Sequence, residues 1–165
     1  MKFHFKTEAV VTALSLCVAV LASMGSMAQA YLVMVHNKLS VTPALEIELS
    51  RFRSQHRFNL ELVNNGLGPA RVKSVRFYVD GKPAGDDVIA VFNTLDIPIR
   101  CFNYSGLSGY YKVGDRRKVM EIIKDSPCSD SADAIGIKLA RMAFDVEYES
   151  IYSEPFLLQS RGLQF

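Results

Sequence analysis

The sequence predicts a mainly β protein, an immunoglobulin-like antiparallel β-sandwich preceded by one N-terminal hydrophobic helix. Two observations lead to this prediction. Residues 9–35 form a run of 27 residues without a formal charge. Most of the later chain consists of short stretches with an apolar residue at every second position, separated by turn residues. A period of two is typical of half-buried strands, and many short strands joined by turns predict a sandwich or barrel.

The clearest alternation lies on either side of residues 64–69. Apolar residues occupy every second position of 58–62 before this loop and of 75–79 after it. The structural turn between them is assigned to Asn65, Gly66, Gly68 and Pro69. Because glycine and asparagine tolerate positive φ and proline ends ladder pairing, we expect a hairpin in which at least one glycine has a positive φ. Asp80-Gly81 is a strong turn dipeptide that closes the second strand.

The other elements follow from the same patterns. Further strands are predicted at 44–49, 88–92, 142–152 and 156–158. The stretch 117–123 fits a strand or a helical turn, and the turn that precedes it favours the strand. Loops or turns are predicted at 51–57, 93–98, 105–109, 114–115 and 124–133, and one helical turn at 134–139. The loop at 105–109 is expected to be flexible because it contains two glycines and two serines.

Four short motifs carry a resemblance to a known group. They are HNKLSVTP at 36–43, NNGLGPA at 64–70, VDGK at 79–82 and YESIYSE at 148–154. The chain resembles a group of uncharacterised bacterial proteins that have one N-terminal transmembrane helix and a small β-sandwich. The group often has glycine where this chain has Ser153. The resemblance spans most of residues 36–158; it implies a membrane-anchored sandwich and implies no particular activity.

Two interpretations of the N-terminal segment remain open. In the first, residues 1–35 are a signal anchor, 36–43 a juxtamembrane connector and 44–165 the sandwich. A helix of 27 residues is about 40 Å long, more than the roughly 30 Å of a bilayer core. In the second, residues 1–30 are a signal peptide cleaved after Ala28-Gln29-Ala30. Cleavage would leave the apolar N-terminus YLVMV, which, with the resemblance, favours the anchor.

The flanking charges predict the orientation of this segment. Lys2 and Lys6 precede the apolar run, and Lys38 is the only basic residue between it and Arg51. The positive-inside rule therefore places the N-terminus in the cytoplasm. We expect the domain in the periplasm, attached to a bacterial inner membrane, or soluble and secreted if the segment is cleaved.

Composition excludes one class of partner. The chain has 19 basic and 17 acidic residues, and after the N-terminal segment the balance is close to neutral. A nucleic-acid interface needs a basic stripe. We therefore expect two partners, a membrane bound through the N-terminal helix and a protein, and no nucleic acid.

Catalytic and metal-binding patterns are weak. The three histidines are His4, His36 and His56, of which only His56 lies in the predicted domain and none pairs at ligand spacing. We predict no metal, no cofactor and no catalytic residue. Glu147 and Glu149 share a strand face that we expect to be exposed to solvent.

Two sets of residues remain candidates for other roles. Cys101 and Cys128, the only cysteines of the domain, form either a disulfide or two buried free thiols. Four aromatic residues are candidates for contact with a ligand or protein partner: Phe102, Tyr104, Tyr110 and Tyr111. The predicted function is a membrane-anchored, non-catalytic binding or accessory domain. The alternatives are a secreted ligand-binding sandwich and a hydrolase with an unrecognised site, built on His56 or the C-terminal carboxylates.

Overall fold

The computed structural model describes residues 4–52, 57–123, 128, 132–161 and 163. The chain divides into two compact units, Met1–Ser40 and Val41–Phe165. The first unit contains the helix α1 (His4–Ser40). Over Thr7–Ser40 this helix is long and apolar enough to cross a membrane. Since α1 ends at Ser40, the first five residues of the predicted connector at 36–43 are helical.

The second unit is built mostly from strands. Its elements are β1 (Leu45–Phe52), β2 (Arg57–Asn64), β3 (Ala70–Val79), β4 (Lys82–Gly85), α2 (Val88–Thr94), a 3-10 turn (Ile99–Cys101), β5 (Phe102–Tyr104), β6 (Gly109–Tyr111), β7 (Arg116–Ile122), α3 (Ala132–Leu139), β8 (Met142–Glu149) and β9 (Pro155–Ser160).

These strands form two antiparallel sheets. One has the order β1-β2-β7-β5. The other has the order β4-β3-β8-β9, and the short β6 also pairs with β3. The prediction of a β-sandwich preceded by one hydrophobic helix is confirmed. The apolar faces of the two sheets enclose one core, as expected when strands bury alternate residues.

The period-two pattern identified the buried faces correctly. In β2, Phe58, Leu60 and Leu62 are buried, and in β3 the residues at 75, 77 and 79 are buried. In β8, Phe144 and Val146 are buried on the face opposite Asp145 and Glu147. Each of these strands therefore has the face that its sequence pattern predicts.

The predicted hairpin of β2 and β3 is wrong. β2 pairs with β1 and β7, whereas β3 pairs with β4, β6 and β8 in the other sheet. The loop at 65–69 thus crosses between the sheets and does not return the chain beside the same strand. Both strands have the expected pattern, but alternation does not say which strand pairs with which, because pairing depends on residues distant in sequence.

The crossing is organised by Asn64. Its side chain is fully buried, and its Oδ1 accepts from the backbone N–H groups of Gly66 (3.1 Å) and Ala44 (3.3 Å). Its Nδ2 donates to the carbonyls of Gly68 (2.8 Å), Lys112 (3.2 Å) and Tyr111 (3.3 Å). One amide therefore joins three segments of the chain.

The neighbouring asparagine, which was assigned to the turn, has a smaller role. Asn65 is exposed, and its Nδ2 donates to Oε2 of Glu46 at 2.8 Å. The prediction assigned the turn to Asn65, whereas the adjacent Asn64 holds it, because the sequence pattern does not show which of the two side chains is buried.

The two glycines of the crossing are needed for a reason other than the predicted one. Neither Gly66 nor Gly68 has a positive φ. Instead, a Cβ at Gly66 would lie 2.2 Å from the backbone nitrogen of Ala44, and one at Gly68 would lie 1.8 Å from the carbonyl oxygen of Val41. The requirement is close approach of two backbone segments, which only a residue without a side chain permits.

The stretch 88–92, which was predicted to be a strand, is the start of α2. Asp87 caps this helix, and its Oδ1 accepts from the N–H of Ala90 at 2.9 Å. Val88, Val91 and Phe92 are buried, the spacing of one helix face. A short apolar run fits both a strand and a helix. Aspartate is a preferred N-cap residue, so Asp87 directly before this run favours the helix.

The remaining predictions agree with the structure only in part. The strand predicted at 142–152 ends at Glu149, because 150–154 form a turn, and α2 extends into the first two residues of the loop predicted at 93–98. Asp80 and Gly81 form the turn between β3 and β4, with φ of 52° and 77°. The predicted helical turn at 134–139 lies in α3, and the ambiguous stretch at 117–123 lies in the strand β7. His56 and most of the loop at 124–133 lie outside the described residues.

Candidate functional site

The four aromatic candidates do not form one surface. Phe102 and Tyr111 are buried and therefore unavailable to a ligand on the surface. Tyr104 and Tyr110 are exposed, but Tyr104 belongs to β5 in one sheet and Tyr110 to β6 in the other. The cluster predicted from sequence proximity is thus a core pair and two separate surface rings.

The two buried rings are structural. Phe102 stacks on Phe92 of α2, with ring centroids 4.6 Å apart. The hydroxyl of Tyr111 donates to the carbonyl of Leu107 at 2.9 Å. Burial raises the pKa of Tyr111 to about 12, so the phenol remains a proton donor at physiological pH.

A cleft of about 330 Å³ opens at one edge of the sandwich. At this edge, β5 is the outermost strand of one sheet, and the short strands β4 and β6 lie beside β3 in the other. Its apolar lining includes Val75 and Phe77 from β3, Val119 from β7 and Leu107 from the loop between β5 and β6. Its polar lining consists of Asp86, Asp87, Tyr104, Ser105 and Ser108.

The pairing of β3 explains why a cleft lies there. β6 pairs with the first part of β3, through Ala70, Arg71 and Val72. β4 pairs with the last part, from Phe77 to Val79. Residues 73–76 have no described strand beside them on this edge, and the space between the two short strands opens towards the core.

Two elements border the opening. On one side, α2 begins at the cleft with Asp87 as its N-cap. On the other side, the loop at 105–108 is fixed by side-chain hydrogen bonds. Ser105 Oγ donates to the carbonyl of Lys118 at 2.7 Å, and Arg117 donates to the carbonyl of Ser108 at 2.8 Å. These bonds hold the loop, which was expected to be flexible.

Arg117 is the main support of this loop. Its guanidinium also donates to the carbonyl of Tyr110 at 2.9 Å, and it lies 4.5 Å from the centre of the Tyr111 ring. A planar cation on an aromatic face is a favourable arrangement. No sequence signal marked this residue, because its partners are backbone carbonyls of a loop that precedes it.

The lining of the cleft combines apolar side chains with two carboxylates, those of Asp86 and Asp87. Asp87 caps α2, whereas the side chain of Asp86 makes no hydrogen bond or ion pair with a described residue. The cleft therefore combines an apolar floor with a carboxylate at its mouth. Such a site suits a ligand with an apolar part and a cationic or hydrogen-bond-donating group.

A second cluster lies around Glu149, at the end of β8. The residue is only 8% exposed, so the prediction that it points to solvent is wrong. Its carboxylate binds the amine of Lys73 at 2.6 Å and the guanidinium of Arg71 at 3.4 Å. The hydrogen bond from Lys73 holds the pKa of Glu149 below its usual range, and the charges of Lys73 and Arg71 act in the same direction.

Glu147, on the same strand, fits its prediction better. Its side chain is about half exposed, and it binds Ser74 Oγ at 2.8 Å and the Arg76 guanidinium. These donors hold its pKa below the usual value, with the Ser74 hydrogen bond the largest cause. Both carboxylates are thus ionised partners of basic residues across the strand pair, an arrangement suited to structure and unsuited to general acid catalysis.

The turn after Glu149 is held by Ser150. Its Oγ accepts from the backbone N–H of Tyr152 at 3.1 Å and of Glu154 at 3.3 Å. Ser153 in this turn has a φ of 60°. That conformation costs a residue with a side chain about 1 kcal/mol or more relative to glycine.

Cys101 and Cys128 are joined by a disulfide, with their Cα atoms 5.8 Å apart. Cys101 lies in the 3-10 turn before β5, and both residues are buried. Of the two alternatives left open by the sequence, the structure has the bonded one.

Metal and family comparisons add no further assignment. Within the described residues, no group of three or more His, Cys, Asp and Glu side chains is arranged to hold a metal ion. No protein-family model matches the chain, and no curated protein matches it.

Proposed function

We propose that this chain is a membrane-anchored, non-catalytic binding domain. The observation that carries the proposal is a helix of membrane-spanning length and composition, Thr7–Ser40, followed at once by a folded β-sandwich. None of the helix residues from Thr7 to Ser40 is buried. The resemblance to bacterial proteins with one transmembrane helix and a sandwich supports the same assignment.

The flanking charges and the disulfide favour one orientation. Lys2 and Lys6 precede the span, which favours a cytoplasmic N-terminus and a domain on the other side. A Cys101–Cys128 disulfide persists in an oxidising compartment such as the bacterial periplasm. The domain would therefore act in the periplasm, attached to the inner membrane.

Retention of the helix is tested by extraction. Membranes from expressing bacteria are washed with alkaline carbonate, and the mass of the protein is measured. We expect the protein in the pellet with Met1 still present. A soluble product that begins at Tyr31 would establish signal-peptide cleavage, and the protein would then be a secreted binding domain.

The cleft at the sandwich edge supports the binding role. Its apolar floor and the carboxylate of Asp86 favour a cation with an apolar tail over the matching anion. We expect n-hexylammonium to shift the NMR signals of Val75, Leu107 and Val119 in the micelle-bound full chain, and hexanoate to shift them less. The variant Asp86→Asn should weaken this preference, because the charge of Asp87 remains. Equal shifts from both probes in the wild type would remove Asp86 from the proposal.

A further inference from the structure

The exposed apolar side chains of the sandwich are concentrated at one end. Eight large hydrophobic residues are exposed among the described residues after Val41. Five of them lie at the end where β1 begins: Leu67, Tyr110, Val113, Ile151 and Tyr152. The other three, Tyr104, Ile137 and Leu157, lie elsewhere on the domain. We call the loops at 65–69, 112–115 and 150–154, together with Tyr110, the Val41 end.

These loops are neighbours in space. The N–H of Leu67 donates to the carbonyl of Thr42 at 2.9 Å, and the N–H of Gly114 donates to the carbonyl of Asn64 at 2.8 Å. Pro69, Tyr110 and Ile151 line one surface depression of about 220 Å³. The apolar side chains therefore project from adjoining segments and not from scattered positions, and exposed apolar groups that cluster in this way mark an interaction surface.

The Val41 end is also the end at which the chain arrives from α1. Ser40 is the last helical residue, and Val41, Pro43 and Ala44 already pack against Gly66 and Gly68. Two residues of extended chain span at most about 7 Å. Val41 therefore joins α1 to this end of the sandwich and not to the opposite end.

The length of the uncharged run indicates the position of the C-terminal end of α1 relative to the bilayer surface. The 27 residues of 9–35 are about 40 Å long as a helix, close to the 40–45 Å of a bilayer with its headgroup layers. The five helical residues after Val35 add about 7 Å. If α1 spans the membrane, Val41 lies at the outer surface of the headgroup layer.

We propose that the Val41 end docks on the lipid surface, with Leu67, Ile151 and Tyr152 in the headgroup region. This inference rests on the retention of α1 as a membrane anchor. Docking would depend on apolar insertion and not on anionic lipid. The loops of this end carry one basic residue, Lys112, against two acidic residues, Asp115 and Glu154. The nearby Arg71 and Lys73 both bind Glu149. Tyrosine is favoured at membrane interfaces, where its ring is apolar and its hydroxyl is hydrated.

The test uses the full chain in phosphatidylcholine vesicles. In a Cys17→Ser background with the native disulfide intact, Leu67→Cys, Ile151→Cys and Ile137→Cys are each labelled with an NBD fluorophore. Ile137, on α3, is the matched control, because it is exposed and lies away from the Val41 end. Quenching by lipids with a headgroup-level nitroxide is compared with quenching by aqueous iodide.

We expect lipid quenching at residues 67 and 151 to exceed that at 137 at least threefold, with the opposite order for iodide. Equal quenching at all three positions in vesicles that retain the protein would overturn the docking and leave the anchor intact. Protection of 67 and 151 from both quenchers would show that protein covers this end, and it also contradicts the inference. Failure of the protein to float with the vesicles would remove the anchor, and the docking with it.

Discussion

The close approach at Gly68 makes a quantitative prediction. In Gly68→Ala the new Cβ would lie 1.8 Å from the carbonyl oxygen of Val41, so the two backbone segments must separate by about 1.5 Å to reach ordinary contact. A shift of this size would lengthen or break the hydrogen bonds that the N–H groups of Leu67 (2.9 Å) and Gly68 (3.3 Å) donate to the carbonyl of Thr42. It would also lengthen or break the hydrogen bond from Asn64 Nδ2 to the carbonyl of Gly68 (2.8 Å).

The expected loss of stability is calculated from these three hydrogen bonds. Each is worth about 1 kcal/mol net, so their loss costs up to about 3 kcal/mol. Replacement of glycine by alanine restricts the unfolded chain and returns roughly 0.4–1 kcal/mol. We therefore expect Gly68→Ala to lower the free energy of unfolding by about 1–2.5 kcal/mol.

The assay is guanidinium unfolding of the full chain in dodecyl maltoside micelles. The chain has no tryptophan, so unfolding of the sandwich is followed by the near-ultraviolet circular dichroism of its tyrosines. The matched control is Gly106→Ala. A Cβ at Gly106 meets nothing within 4 Å, and its φ is not positive. The control should remain within about 0.5 kcal/mol of the wild type.

Two results would refute this reasoning. Equal stability of Gly68→Ala and Gly106→Ala would mean that the backbones at Val41 and Gly68 do not approach as described. Wild-type stability of Gly68→Ala combined with loss of a binding partner would mean that the loop at 65–69 is a recognition site, and its glycines would then be required by a ligand.

Three further predictions concern the core and the charged cluster. Asn64→Ala should lower the free energy of unfolding by about 2–4 kcal/mol, because it orphans buried backbone groups. The same change at the adjacent Asn65 should cost about 0.5 kcal/mol or less, and equal effects in the same assay would contradict the burial of Asn64. Replacing Cys101 and Cys128 by serine should cost about 3–4 kcal/mol, given their separation of 27 residues, and reduction of the wild type should lower its denaturation midpoint similarly. For Glu149, whose folded pKa is lowered, stabilisation is complete above the unfolded pKa and is lost as pH falls through the folded pKa. Acid titration of stability should therefore be flatter in Glu149→Gln than in the wild type, and identical slopes would show that the carboxylate is not ion-paired.

The sequence by itself determined that β2, β3 and β8 are extended and which side of each strand carries the buried apolar residues. The alternation in β2, β3 and β8 was sufficient for that, because each strand places successive side chains on opposite faces. It also identified the apolar helix, since a run of 27 residues without a formal charge is typical of a helix that can span a membrane. The turn at Asp80-Gly81 was likewise readable, because its conformation is set by the two residues themselves.

Local patterns were ambiguous where a competing signal was present. The run at 88–92 fits a buried strand or a helix face equally well, and the cap at Asp87 decides between them. Only the bond from Ala90 to this aspartate shows that the cap is formed.

Only the tertiary structure showed which strands pair and which side chains are neighbours. It placed β2 and β3 in different sheets, buried Asn64 and left Asn65 exposed, and made Glu149 an ion-paired residue on a face that looked solvated. The same holds for the cleft, whose lining comes from β3, β7, α2 and a loop. These features depend on contacts between residues far apart in sequence, and the energy of such contacts is set by the whole packed arrangement and not by any local pattern.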